Sequence, residues 1–112
     1  MESILTSIKE LLGIDESYEH FDSQIVMHIN TALMELTQLG VGPPDGFRIE
    51  DASATWSDFI SNDDYRFEGV KTYIELNVKL VFDPPTSAAV IASMEKTLQR
   101  LEWRLQLAAE ST

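Results

Sequence analysis

The sequence predicts an all-α fold: a small bundle of four to five helices with an irregular loop insert between the second and third helices. Three observations lead there. Apolar residues recur at helical spacing in several segments. Gly and Pro cluster in Val41-Gly42-Pro43-Pro44-Asp45-Gly46. Two long apolar runs, VKTYIELNVKLVF and SAAVIASMEKTLQRLEWRL, are split by Asp83-Pro84-Pro85-Thr86. With 112 residues and 44% hydrophobic content, the chain can bury a modest core as one domain, residues 1–112.

Met1 to Leu12 reads as a short helix, because Ile4, Leu5, Ile8, Leu11 and Leu12 form one stripe and Gly13 suits a left-handed C-terminal cap. So short a helix has to dock, either on the body of the domain or on a neighbouring subunit. Asp22 is the expected N-cap of the next helix, Ser23 to Leu39, with Phe21 stapled to Val26 and Gly40 as the stop. Ile25, Ile29, Ala32, Leu33 and Leu36 make its core stripe, while Met27 and Met34 lie off it and are free to meet another element.

Val41 to Gly46 is a loop, since its prolines and glycines cannot continue a helix. Phe47-Arg48-Ile49 follows as a brief extended stretch. Thr55 or Ser53 caps a short helix holding Trp56, Phe59 and Ile60, in which Trp56 and Phe59 at i,i+3 plug the core, and Ser61 to Gly69 is polar enough for a second loop. The run Val70 to Phe82 fits both a strand and a helix. Alternation favours the strand, but the helix gathers Lys71, Thr72, Glu75 and Lys79 on one polar arc and accounts for Tyr73 and Val81 on the other side. The helix is therefore expected, largely buried, with Asn77 inside its apolar arc and in need of a hydrogen-bond partner.

Pro84 and Pro85 end that helix, and Thr86 or Ser87 caps the last one. There Ile91, Met94, Leu98, Leu101, Leu105 and Ala108 keep a 3-4 rhythm, the seam of a helical bundle. Trp103 and Leu107 sit nearly opposite the seam, beside Gln99, Arg100 and Arg104. That face is either covered by the N-terminal helix or forms a subunit interface, for which an aromatic flanked by arginines is a good anchor.

Composition removes several functions. Nineteen acidic against eight basic residues give a net charge of −11, which opposes binding to nucleic acid phosphates. The acidity is compatible with plain solubility, with a surface that mimics DNA, or with the wall of a passage through which DNA slides. No cysteine is present, so no disulfide or thiolate metal site is expected. The N-terminal stretch lacks the basic region and cleavage site of a leader, and no apolar run approaches the ~20 residues of a membrane span, so a soluble, non-secreted protein is expected.

His20 and His28 are too far apart to clamp a metal on one helical turn and read as ordinary surface or boundary histidines. Asn62-Asp63-Asp64 with Glu68-Gly69 lacks the alternating ligands of a calcium loop. Glu50 with Asp51, or Asp58 with Asp63, are pairs that so acidic a chain produces by chance, and no nucleophile or phosphate-loop motif accompanies them. Neither enzymatic activity nor a cofactor is expected.

Several strings of the chain, in order, resemble one known family. SILTSIKELLGI leads to a helix ending in LTQLGVG. Phe47-x-Ile49 and Trp56 follow, then VKTYIELNVKLVFDPPTSAAV and finally LEWRL. The most specific portions are Tyr73 with Leu80 to Ser87, and Leu101 to Leu105. In these the chain resembles the head-tail connector family of tailed bacteriophages, the small adaptor or head-completion proteins of siphoviruses and prophages.

The resemblance implies a virion protein, assembled in the host cytoplasm, that forms a homo-oligomeric ring, twelve-fold, beneath the portal protein. Such a ring extends the channel, lets DNA pass without specific binding, and docks a tail-side stopper or tail-terminator protein. In that family the C-terminal region commonly reaches toward the portal, which here is the chain beyond about Leu105. The sequence ends at Ala108-Ala109-Glu110-Ser111-Thr112, so a long portal-invading tail is not expected. A closed ring needs two different patches per subunit. The expected ones are the face of Trp103, Arg104, Leu107 and Arg100, and the loop with Pro43 and Pro44. The competing reading is an acidic DNA mimic that inhibits a DNA-binding enzyme.

Overall fold

Five helices follow one another in the computed structural model of the protein, which describes residues 2–110: α1 (Ile4–Leu11), α2 (Asp22–Gln38), α3 (Trp56–Phe59), α4 (Phe67–Phe82) and α5 (Ala88–Glu110). The all-α expectation holds. Among the described residues there is no strand, only an isolated antiparallel bridge between Ser3 and Thr55. Met1, expected in the first helix, and the last residues Ser111 and Thr112 lie outside the described residues.

Helix α4 is central. It packs most extensively against α2 and also against α5, while α1 lies on α2. The ambiguity of Val70 to Phe82 resolves as helix: Val70, Tyr73, Ile74 and Val78 are buried, and Asn77 finds its partner by donating from Nδ2 to the Tyr73 carbonyl at 2.9 Å. Val81 departs from the expected arc and is exposed, in the last turn of the helix. The helix also starts earlier than expected, so Phe67 to Gly69 belong to α4 and the polar loop ends at Arg66. Phe67 drives this, packing edge-on to Trp56 at 6.1 Å, a long-range contact that the local polarity of the segment hides.

α1 docks on the body of the same chain, with Ile4 and Ile8 fully buried. Each such side chain contributes about 1.5–3 kcal/mol, enough to hold a helix too short to persist alone. Ser3 caps it by accepting the Thr6 N–H at 3.2 Å, and Gly13 follows with φ +77°. Backbone bonds from Ile4 to Ala54 (3.1 Å) and from Trp56 to Glu2 (3.1 Å) tie this end to the segment before α3.

The start of α2 corrects the sequence reading. The N-cap position is occupied by Phe21, which offers no side-chain bond, and Asp22 is already the first helical residue. Its carboxylate is drawn to the buried ammonium of Lys9, with Asp22 Oδ1 2.8 Å from Nζ. Phe21 is thereby one position too late for the expected staple, and its ring meets Phe82 of α4 edge-on at 5.3 Å. The core stripe Ile25, Ile29, Ala32, Leu33 and Leu36 is buried as expected.

The insert between α2 and α3 is irregular but anchored. Asn30 of α2 grips Ile49 from both sides: its Nδ2 donates to the Ile49 carbonyl (3.0 Å) and its Oδ1 accepts the Ile49 N–H (2.8 Å). One side-chain amide thus replaces a neighbouring strand for Phe47-Arg48-Ile49 and lets Ile49 be buried. Thr55 takes the cap of α3, its N–H donating to Asp58 Oδ2 at 2.9 Å, and Trp56 and Phe59 fill the core.

Gly42 is needed where it stands. Its φ is +86°, and a Cβ there would sit 2.4 Å from the Phe59 ring, which Phe47 backs at 5.6 Å. Gly42→Ala is expected to cost about 2–4 kcal/mol in chemical denaturation, combining backbone strain with overpacking of a ring that has little room to yield. Gly13→Ala supplies the contrast. It shares the positive φ but meets nothing within 4 Å, so only the backbone cost of about 1–2 kcal/mol remains.

Candidate functional site

Pro84 and Pro85 break the chain after α4, and Ser87 Oγ accepts the Val90 N–H at 3.3 Å to begin α5. The seam faces inward as expected: Leu98 and Leu105 are buried, and Ile91, Met94, Leu101 and Ala108 are half-buried. This narrow contact leaves most of a 23-residue helix in solvent. At its far end α5 comes up against α2, where Ala109 Cβ would lie 2.9 Å from a Cβ on Gly40.

The outer face settles one alternative for Trp103. It is 62% exposed and Leu107 43% exposed, so α1 does not cover them. Arg100 and Arg104 stand on the same face, as i,i+3 and i,i+4 spacing requires, and neither forms an ion pair with a described residue. Beside them a shallow groove runs between α5 and the start of α4, lined by Tyr65, Gly69, Leu101, Trp103, Arg104 and Leu107. Tyr65 is 79% exposed and widens the aromatic surface. The sequence reading left it inside a polar loop, where a solitary tyrosine carries no periodic signal.

Tyr65 is presented by a fixed turn. Asp64 accepts from the Arg66 backbone N–H (2.9 Å) and from its guanidinium (3.1 and 2.8 Å). The Arg66 side chain, followed by its backbone N–H, holds the Asp64 carboxyl below its ordinary value of 3.8. A group with a lowered folded-state pKa stabilises above its unfolded value and loses that contribution as pH falls through the lowered one. The turn is therefore firm above pH ~4 and loosens only under stronger acid.

The other expected patch lies apart. Pro43 and Pro44 sit in a turn closed by a bond from the Gly46 N–H to the Pro43 carbonyl at 3.0 Å, and none of this loop lines the Trp103 groove. Its end, Asp45 to Phe47, borders instead a groove along α2 with Met27 and Met34, which are more than half exposed. These methionines, off the core stripe as their spacing predicts, line this open groove together with the end of the insert.

Elsewhere the polar groups serve the fold. Tyr73 is buried, donates to Glu35 Oε2 at 3.3 Å, and burial first, then the Glu35 charge, pushes its phenol well up. His20 is exposed and His28 half-buried. Among the described residues no group of three His, Cys, Asp or Glu side chains could hold a metal ion, and no helix is long and apolar enough to cross a membrane.

The fold and this face define a small helical protein that leaves large apolar and aromatic side chains, Trp103, Leu107 and Tyr65, exposed. The model of the phage connector protein family matches residues 4–112, and the chain belongs to that family. Its role is accordingly that of a structural connector of a phage. No curated protein and no solved structure matches the chain.

Proposed function

We propose that this connector is an adaptor: residues 1–112 act as one domain, copies of which close into a twelve-fold ring that joins the portal vertex of the capsid to the tail or its stopper and extends the DNA channel. The ring assembles in the host cytoplasm and stays in the virion. The observation that carries this reading is the α5 face. Trp103 and Leu107 are exposed, flanked by Arg100 and Arg104, which form no ion pair with a described residue, on a helix whose inner seam already serves the core. An exposed tryptophan between arginines has the composition of an interface anchor, and among the described residues none covers it. The Pro43–Pro44 loop and the α2 groove beside it supply a second, different patch, as a closed ring with a further docking face requires. A net charge of −11 suits the wall of a DNA passage, where phosphates must not adhere.

The experiment is Trp103→Ala, read by incorporation into particles and by pull-down with the portal. Stability should change by no more than about 0.5 kcal/mol, because the side chain is largely in solvent. Ring assembly or portal attachment should be lost. Full assembly and attachment by the variant would remove Trp103 from the interface and the reading with it.

A further inference from the structure

The step taken here rests on the adaptor-ring reading and concerns which surfaces of neighbouring copies meet. Of the eight basic residues, four are used inside the subunit: Lys9 with Asp22, Arg66 with Asp64, Lys71 with Glu2 and Lys79 with Asp83. The other four, Arg48, Lys96, Arg100 and Arg104, form no ion pair with a described residue. Three of them follow one another at i,i+4 on α5, all exposed, beside Trp103 and Leu107. Three of the four cations that form no ion pair with a described residue thus share one face of one helix.

That face has a complement on the same molecule. A cleft between α1, α2 and the segment before α3 has an apolar floor of Leu5, Val26 and Ile49 and a rim of Glu16, Glu19, Glu50 and Asp51. Of its two basic lining residues, Lys9 is taken up by Asp22, while Arg48 forms no ion pair with a described residue. Val26, half-buried above the buried Leu5 and Ile49, offers apolar surface to Trp103 and Leu107, and the rim offers carboxylates to the three cations. Two α5 faces brought together would oppose like charges, which disfavours a two-fold pair. A head-to-tail contact opposes unlike charges, and repeated head-to-tail contacts generate a ring.

We propose that the α5 face carrying Lys96, Arg100, Trp103 and Arg104 docks into the acid-rimmed cleft of the next copy of this chain. The α2 groove beside Pro43 and Pro44 is then left for a protein above or below the ring.

The test is a charge exchange. One variant reverses the helix face, Arg100→Glu with Arg104→Glu; the other reverses the cleft, Glu50→Lys with Asp51→Lys. All four sites are exposed, and circular dichroism checks that both variants keep wild-type helix content. Sedimentation of concentrated chain should show self-association of the wild type, weakened by salt, and at least about a tenfold loss in either variant alone. A one-to-one mixture of the two should associate again, because each reversed helix face then meets a reversed cleft and each native face a native cleft.

A folded mixture that stays monomeric overturns the proposal, as does either variant alone associating like the wild type. A wild-type chain that is monomeric up to ~1 mM overturns it too, since a contact made only of this chain's residues has to be populated there. The adaptor reading fails separately, if the wild-type chain does not reach particles or bind the portal.

Discussion

Trp56→Ala should be the most damaging single replacement in the core, costing about 3–5 kcal/mol, a large share of the stability of a chain this size. Trp56 is 2% exposed, and its Nε1 donates to Ser7 Oγ at 2.8 Å, joining the short α3 to α1 across the sequence. Ser7 in turn donates to the Ser3 carbonyl at 2.8 Å, so the cap region of α1 and the start of α3 share one buried polar link. Lys71 also lies over the indole at 5.9 Å. Trp56→Phe separates the contributions: it keeps most of the volume, drops the N–H, and should cost about 1–2 kcal/mol. Urea denaturation of both variants measures the difference. If Trp56→Phe were as harmful as Trp56→Ala, the hydrogen bond rather than the ring volume would dominate.

Lys9→Ala should come next, at about 2–4 kcal/mol. Lys9 is 2% exposed and its ammonium has three partners: the Glu16 carbonyl at 3.0 Å, the Tyr18 carbonyl at 2.8 Å and Asp22 Oδ1 at 2.8 Å. It therefore fastens the connection between α1 and α2 as well as the first turn of α2. Removing one member of a buried pair costs up to about 3–5 kcal/mol. The lower range applies here because the Asp22 side chain keeps 27% of its surface in solvent and can rehydrate. Lys9→Met, which keeps the apolar stem but not the charge, should recover little, since the two carbonyls and the carboxylate still lack a donor. Thermal unfolding that shifted with Lys9→Ala but not with Lys9→Met would show that the stem, not the ammonium, is what matters.

These two residues also show where sequence reading stops. Helix α4 could be read from its polar arc, and α5 from its seam and the double proline before it, because both signals are periodic and local. The α5 outer face was legible for the same reason: Trp103, Leu107, Arg100 and Arg104 share a face by spacing alone. Lys9 gave no such sign. A lysine on a short helix looks solvated until the following loop folds back over it, and that same fold-back takes Asp22 away from the cap it resembles in sequence. Asn30 and Ile49 are nineteen residues apart and find each other only once the insert has folded. Tyr65 escaped because its role depends on its place beside α5, not on its neighbours in sequence.

The central claim is that this connector closes into a ring on the portal through contacts that include the α5 face. Negative-stain imaging of the chain mixed with the portal of its own phage tests it most directly. An added ring of density is expected on the tail side of the portal, present with the wild type and missing with Trp103→Ala. A bare portal beside monomeric wild-type chain would contradict it.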